Sequence, residues 1–255
     1  MVYFCDELDG VTAGVEHELD KYIPAERLEY AARYRYRTDR ILSKLSYLLL
    51  RVGLSMEYGI RERPEIVIAE NGKPHLADGR QIYFNISHCR KGAACAVSGK
   101  EVGVDIQDYV CYDARLAPLF MSREEADSAG LDRTKEAFTR VWALKESYGK
   151  YKSLGICYKM NEFTIKSGEW NEGVVSDSYL YRDYVVAVTS EEKLELSKLC
   201  LHTVREQCER LIRERNTDEQ QVHNAKIASE QFCQTFGQDG SQLQREKDYI
   251  CSAGW

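Results

Sequence analysis

The chain has 255 residues, 44% of them hydrophobic and 30% charged, with a formal net charge of −6. That size supports a packed core in one large domain or two modest ones, and the negative balance argues against a general nucleic-acid binder while allowing local basic patches. No apolar run reaches the ~18 residues of a membrane span, and the acidic start MVYFCDELDG lacks a basic signal-peptide region. Nine cysteines, odd in number and without C-x-x-C pairs, fit reduced thiols better than a disulfide framework or a zinc site. The expectation is a soluble, cytoplasmic protein.

In chain order, residues 2–4 predict a short edge strand. Residues 25–51 predict one helix, with Pro24 suited to its first turn and Leu42, Leu45, Leu48 and Leu49 as its apolar face. The same segment carries Arg27, Arg33, Arg35, Arg37, Arg40, Lys44 and Arg51. Two readings stand side by side: a solvated helix face, or a wall for nucleotide phosphates, whose oxygens arginine forks match. No individual arginine is assigned.

After Arg63-Pro64 the period changes. Residues 65–69 read as a short buried strand and Asn71-Gly72 as a tight turn. Lys73 and Pro74 follow, either as plain hairpin residues or as a rigid corner whose lysine lies beside a purine. Strands at 81–86 and 93–97 flank Ser87-His88-Cys89-Arg90-Lys91-Gly92, a hairpin with a polar tip. Ser87, His88 and nearby N–H groups could hold a phosphate there; a satisfied turn histidine is the rival. Residues 101–107 predict a strand with Val102, Val104 and Ile106 on one face and Gly103, Asp105 and Gln107 on the other. Aspartate is disfavoured inside strands. Asp105 therefore either closes a neighbouring turn or ligates a metal; magnesium needs few carboxylates and takes waters and phosphate oxygens for the rest.

Short helices are predicted over 114–120 and 122–129, the second opened by a capping box, Ser122-Arg123-Glu124-Glu125. A longer helix over about 134–152, ending near Gly155, carries Trp142, Glu146 and Lys150 at i, i+4 and i+8, stacked along one side. Alone, Glu146 and Lys150 would be an exposed pair worth about 0.2–0.5 kcal/mol. Strands follow near 162–165, 178–181 and 184–189. From residue 191 the apolar spacing predicts a helix to about 215, and beyond 216 the composition is that of a disordered tail.

Three stretches change the odds: Asn85-Ile86-Ser87-His88, Gly103-Val104-Asp105-Ile106-Gln107, and Trp142-Ala143-Leu144-Lys145-Glu146-Ser147 with Lys150. In this order and spacing, after Gly72-Lys73-Pro74, they resemble the surfactin-synthetase-activating (Sfp-like) type of 4′-phosphopantetheinyl transferase over residues 1–190. The resemblance implies an α+β fold of two pseudo-symmetric α+β halves, 1–100 and 101–190, with the active site in the cleft between them; residues 191–255 would be a helical, then disordered, extension. An echo between the halves is visible as helix, strand and hairpin at 25–51, 66–69 and 82–97 against 134–152, 162–165 and 178–189. The implied reaction moves 4′-phosphopantetheine from coenzyme A to a serine of an apo acyl or peptidyl carrier protein, with Mg²⁺, releasing adenosine 3′,5′-bisphosphate. Asp105, Glu146 and Lys150 would be catalytic, and Asp105, Gln107 and Glu146 would hold the metal. Lys73, Pro74, Ser87, His88 and Lys150 would bind coenzyme A. Gln107 departs from the family, which often has glutamate at that position. A monomer with no nucleic-acid or membrane partner is expected. An idle coenzyme A-binding or carrier-docking relative is the second reading, and would be expected to have lost Asp105, Glu146 or Lys150.

Overall fold

A computed structural model describes residues 1–132, 134–154, 159–171 and 173–236 of the chain. The chain forms two compact units, residues 1–211 and 212–255. In order, the first unit contains β1 (Val2–Cys5), α1 (Ala13–Asp20), α2 (Ala25–Ala32), α3 (Arg37–Tyr58), β2 (Ile66–Ile68), β3 (Pro74–Leu76), β4 (Tyr83–Cys89), β5 (Gly92–Ser98) and β6 (Val102–Asp108). Then come α4 (Ala117–Phe120), α5 (Arg123–Asp132), α6 (Lys135–Lys152), a 3₁₀ turn at Met160–Glu162, β7 (Trp170–Asn171), β8 (Val174–Leu180), β9 (Tyr184–Ser190), β10 (Leu196–Lys198) and the start of α7 (Leu201–Phe236). The mixed α+β class is as expected.

Two four-stranded sheets run β10-β1-β5-β4 and β6-β9-β8-β7, and β2 pairs with β3 alone. Alternation on β6 sends Val102, Val104 and Ile106 into one apolar cluster with Val2 and Phe4 of β1, Ala94 and Ala96 of β5, and Val186 and Val188 of β9. Its other face looks onto α6. Gly103 shows how closely: a Cβ there would lie 2.1 Å from the Ser147 carbonyl and 2.4 Å from the Tyr151 nitrogen. Only glycine lets the helix sit down on the strand.

Several expectations are corrected. The helix expected over 25–51 is two helices, broken at 33–36, where Tyr36 is extended. Arg40 donates to the Tyr34 and Arg35 carbonyls at 3.0 and 3.1 Å, satisfying backbone that the break leaves open. Below the break, every residue of α3 from Ile41 to Leu54 is buried, so Arg51 and Lys44 are neither a solvated face nor a phosphate wall. Arg51 donates to the Tyr22 carbonyl, and Lys44 pairs with Glu16 and Asp20. Gly59, at φ +66, closes the helix by donating to the Ser55 carbonyl.

β1 is no edge strand. It is flanked by β5 and by β10, which lies parallel to it where the sequence predicted the start of a helix. β2 is exposed rather than buried, with Ile68 66% accessible, because among the described residues its one strand partner is β3. No strand forms at 162–165. There the backbone finds side chains instead: Glu125 accepts from the Ile165 N–H, and Lys145 donates to the Met160 and Phe163 carbonyls. The capping box forms as drawn, Ser122 and Glu125 exchanging backbone and side-chain bonds. α4 keeps only Ala117–Phe120 of the 114–120 helix. α6 ends at Ser153, whose φ of 57 is left-handed, and the predicted end near Gly155 lies outside the described residues. α7 runs to Phe236, past the expected end at 215, through residues rich in strong helix formers. The predicted tail over 237–255 lies outside the described residues.

Candidate active site

β6 is the edge strand of its sheet, so one side of its backbone has no strand partner. At Val104 side chains take over that task. Asn85 Oδ1 on β4 accepts from the Val104 N–H at 3.0 Å, and Lys150 Nζ on α6 donates to its carbonyl at 3.1 Å. These two bonds join β4, β6 and α6 at one point.

The next residue, Asp105, is 5% exposed. Its Oδ1 accepts from Lys150 Nζ at 2.6 Å and from Ser87 Oγ at 2.8 Å, and Lys150 also reaches Ser87 Oγ at 2.9 Å. Its Oδ2 is buried without a hydrogen-bond partner. Leaving such an atom unmatched costs about 1–3 kcal/mol, so a buried carboxylate oxygen without a partner, within electrostatic reach of a second acid, marks a place for a ligand. That second acid is Glu146, one turn before Lys150 on α6. Burial raises its carboxyl above the usual range and the Asp105 charge adds to this, while Lys150 opposes.

The remaining candidates are placed as follows. His88 lies half-buried, edge-on to Tyr34 at 5.9 Å, and burial lowers its imidazole below the ordinary value; Asp39 opposes, and Lys150 and Arg27 reinforce the shift. Ser87 and His88 belong to β4 itself, not to a hairpin tip, since the turn is only Arg90 and Lys91. Gln107 follows Asp105 on the same face of β6, but its Nε2 donates to the neighbouring Asp108 carbonyl at 3.3 Å. It also borders an apolar cavity of about 440 Å³ with Phe138 and Trp142. Trp142 is a packing residue, 5.0 Å from Phe120 and perpendicular to it. Lys73 and Pro74 line a separate cleft of about 350 Å³. The Lys73 ammonium is held there by Glu101 at 2.5 Å and the Tyr151 carbonyl at 3.2 Å. Thus Asp105, Ser87 and Lys150 are in contact, Glu146 is within electrostatic reach of two of them, and Lys73 touches the same helix one residue on.

Sequence reasoning named Asn85 in a motif without giving it a role, and missed Glu101 and the buried Lys145–Glu125 pair at 3.0 Å. Asn85 had a readable signal, since it alternates with Ser87 on one face of a strand. The Lys145 and Glu101 partners are distant in sequence and had none.

Among the described residues no group of three or more acidic, histidine or cysteine side chains is disposed around a metal. Two carboxylates, Asp105 and Glu146, with the Gln107 amide nearby, still fit a hard cation of the magnesium kind, because one carboxylate oxygen is buried and free and phosphate oxygens complete such a shell.

A profile described as the 4′-phosphopantetheinyl transferase superfamily matches residues 101–204, which hold Asp105, Gln107, Glu146 and Lys150. Over that stretch the chain is similar to this superfamily. It is 27% identical over 150 residues to the 4′-phosphopantetheinyl transferase Sfp of Bacillus subtilis, covering 57% of this chain and 66% of that one. It is 28% identical to the transferase psf-1 of Bacillus pumilus, over 60% of this chain and 67% of the relative. The AcpT transferase of Salmonella typhi is 34% identical over a shorter stretch, 42% of this chain and 58% of its own. The chain is a transferase of this type; the β6 and α6 residues of the cluster lie within the matched stretch, and Asn85 and Ser87 on β4 precede it. No described helix is long and apolar enough to cross a membrane.

Proposed function

We propose that this transferase moves the 4′-phosphopantetheine of coenzyme A onto a serine hydroxyl of an apo acyl or peptidyl carrier protein, with Mg²⁺, as a cytoplasmic monomer. The observation that carries the reading is the Asp105–Lys150–Ser87 contact with an unmatched, buried Asp105 oxygen, within electrostatic reach of Glu146. Such a set suits phosphoryl transfer, where positioning and charge neutralisation dominate.

In this reading Lys73 and Pro74 bind the adenine, and Ser87 and His88 the phosphates. Lys150 is held by Asp105, Ser87 and the Val104 carbonyl, so its ammonium is fixed where a pyrophosphate oxygen would arrive. Asp105 and Glu146, with Gln107 as a weaker neutral donor, would hold the magnesium. Once bound, that ion would neutralise charge on the pyrophosphate. Glu146 takes the proton from the carrier serine, directly or through water, a service typically worth about 10²–10⁴-fold. The serine oxygen bonds to the phosphorus bearing pantetheine, and the bond from that phosphorus to the bridging oxygen breaks. Adenosine 3′,5′-bisphosphate departs with that oxygen.

The two-halves organisation, 1–100 and 101–190 about a shared cleft, belongs to the same proposal. The two four-stranded sheets, one packed by α3 and the other by α6, support it. The test is incubation with coenzyme A, Mg²⁺ and a panel of apo-carriers, followed by mass spectrometry. A carrier gaining the mass of one phosphopantetheinyl group is expected, and no gain on any carrier type would overturn the reading. The idle-binder alternative finds no support, since Asp105, Glu146 and Lys150 are all present.

A further inference from the structure

The amine of Lys73 is engaged within the fold. Its side chain is 12% exposed, and the Glu101 carboxylate that neutralises it is 42% exposed. The contact draws on three separate places: Lys73 from the β2–β3 hairpin, Glu101 from the β5–β6 connection, and the Tyr151 carbonyl from the last turn of α6. Among the described residues β2 pairs only with β3 and shows Val67 and Ile68 to solvent, so the hairpin rests on the fold through β3, whose Leu76 is buried. Pro74, Tyr83 and Glu101 share the wall of the 350 Å³ cleft beside it. Tyr151 directly follows Lys150, whose ammonium holds Asp105.

We infer that Glu101 is a positioning residue. By fixing the Lys73 ammonium against the last turn of α6, it holds the hairpin wall of the cleft in place for the nucleotide end of coenzyme A. The inference rests on the reading of Lys73 and Pro74 as base contacts. A lysine stem is flexible. Anchored at both ends, it becomes a rigid rim, and Pro74, the next residue, is carried with it. Released, the hairpin must be ordered afresh at each binding event, and immobilising a flexible side chain weakens binding by roughly 3- to 10-fold. The loss falls on nucleotide binding and not on the chemical step, so KM rises while kcat holds.

The experiment uses the full chain with Glu101→Gln and Glu101→Asp. It measures kcat and KM for coenzyme A with an apo-carrier, the calorimetric Kd of adenosine 3′,5′-bisphosphate, and the melting temperature. Glu101→Gln should raise KM and Kd together by about 3- to 10-fold, with kcat within about twofold of native. Glu101→Asp, which keeps the charge, should recover most of the loss. A residue that only stabilised the fold would lower the melting temperature and kcat and leave KM and Kd unchanged. Should Glu101→Gln fold poorly, Glu101→Ala, which also removes the carboxylate at this half-exposed position, must show the same rise in KM and Kd with kcat held. Unchanged KM and Kd in a protein whose native form binds the bisphosphate would overturn the positioning role alone. Failure of the native protein both to bind the bisphosphate and to transfer would overturn the functional reading and this role with it.

Discussion

Removing the ammonium of Lys150 isolates the contact on which the site depends. Lys150→Met keeps the stem and deletes the charge, leaving Asp105, 7% exposed at its side chain, without its ammonium partner and repelled by Glu146. Breaking a fully buried pair costs about 3–5 kcal/mol, and an exposed one costs about 0–1. Lys150 is 28% exposed, so this pair falls between those limits, at about 2–3 kcal/mol. Asp105→Asn should cost less than about 1 kcal/mol, since an amide still accepts from Lys150 and Ser87 and the repulsion with Glu146 disappears. The double variant should then cost little more than Asp105→Asn alone, about 1 kcal/mol, giving a coupling of about 2 kcal/mol. Urea unfolding of the four proteins measures it, and the Lys150→Met melting point should fall by about 4–8 °C. Equal losses for Lys150→Met with and without Asp105→Asn would refute the claim that the pair is energetically coupled.

Other expectations follow from the same geometry. Glu146→Gln should lower kcat by at least about 10²-fold with the fold and coenzyme A binding retained; near-normal turnover would remove both roles of Glu146. In a magnesium titration of activity, Gln107→Glu should lower the half-maximal concentration with little change in maximal turnover, whereas Asp105→Asn should be nearly inactive even at high Mg²⁺. An unmoved midpoint in Gln107→Glu would place residue 107 away from the ion. Gly103→Ala should destabilise by about 3 kcal/mol or more, because its Cβ meets the Ser147 carbonyl at 2.1 Å and backbone cannot yield; a native melting point would contradict the packing of α6 on β6. His88 has its imidazole pKa lowered by burial from the ordinary 6.5. The unfolded chain therefore takes up the proton first, and stability should be fully present above that value and be lost as pH falls through it towards the folded-state value. His88→Gln should flatten this limb of a stability–pH curve, and an unaltered curve would show that His88 does not cause it.

What could be read in advance was whatever is local. The alternation of Val102, Val104 and Ile106 announces a half-buried strand, and Asp105 is conspicuous because it breaks strand preference on the opposite face. The row Trp142, Glu146, Lys150 follows from helical spacing alone. What could not be read depends on partners far along the chain. Residues 196–198 carry apolar spacing that suits a helix as well as a strand, and they become β10 only because β1 offers an open edge. The β-branched and aromatic run Phe163-Thr164-Ile165 looks like a strand, yet Glu125 and Lys145 supply the hydrogen bonds a neighbouring strand would have supplied. The arginines of 27–51 looked like one basic group; only the fold separates buried Arg51 from Arg33 and Arg35 at the surface.

The same dependence explains why the site is built on an edge strand. An interior strand would have given both backbone sides of Val104 to neighbours, leaving Asn85 and Lys150 nothing to bind. An edge leaves one N–H and one carbonyl open. Here Asn85 and Lys150 close them, and in doing so draw β4 and α6 to the residue next to Asp105. Gly103 removes the one obstacle to that approach by letting α6 rest on the strand backbone. Lys150 thus has two tasks at once, satisfying the strand and neutralising Asp105, so its position is set by backbone geometry and not by charge attraction alone. Changing Asp105 should for that reason leave the Lys150 ammonium near Val104, and activity lost in Asp105→Asn would report on the missing carboxylate rather than on a displaced lysine.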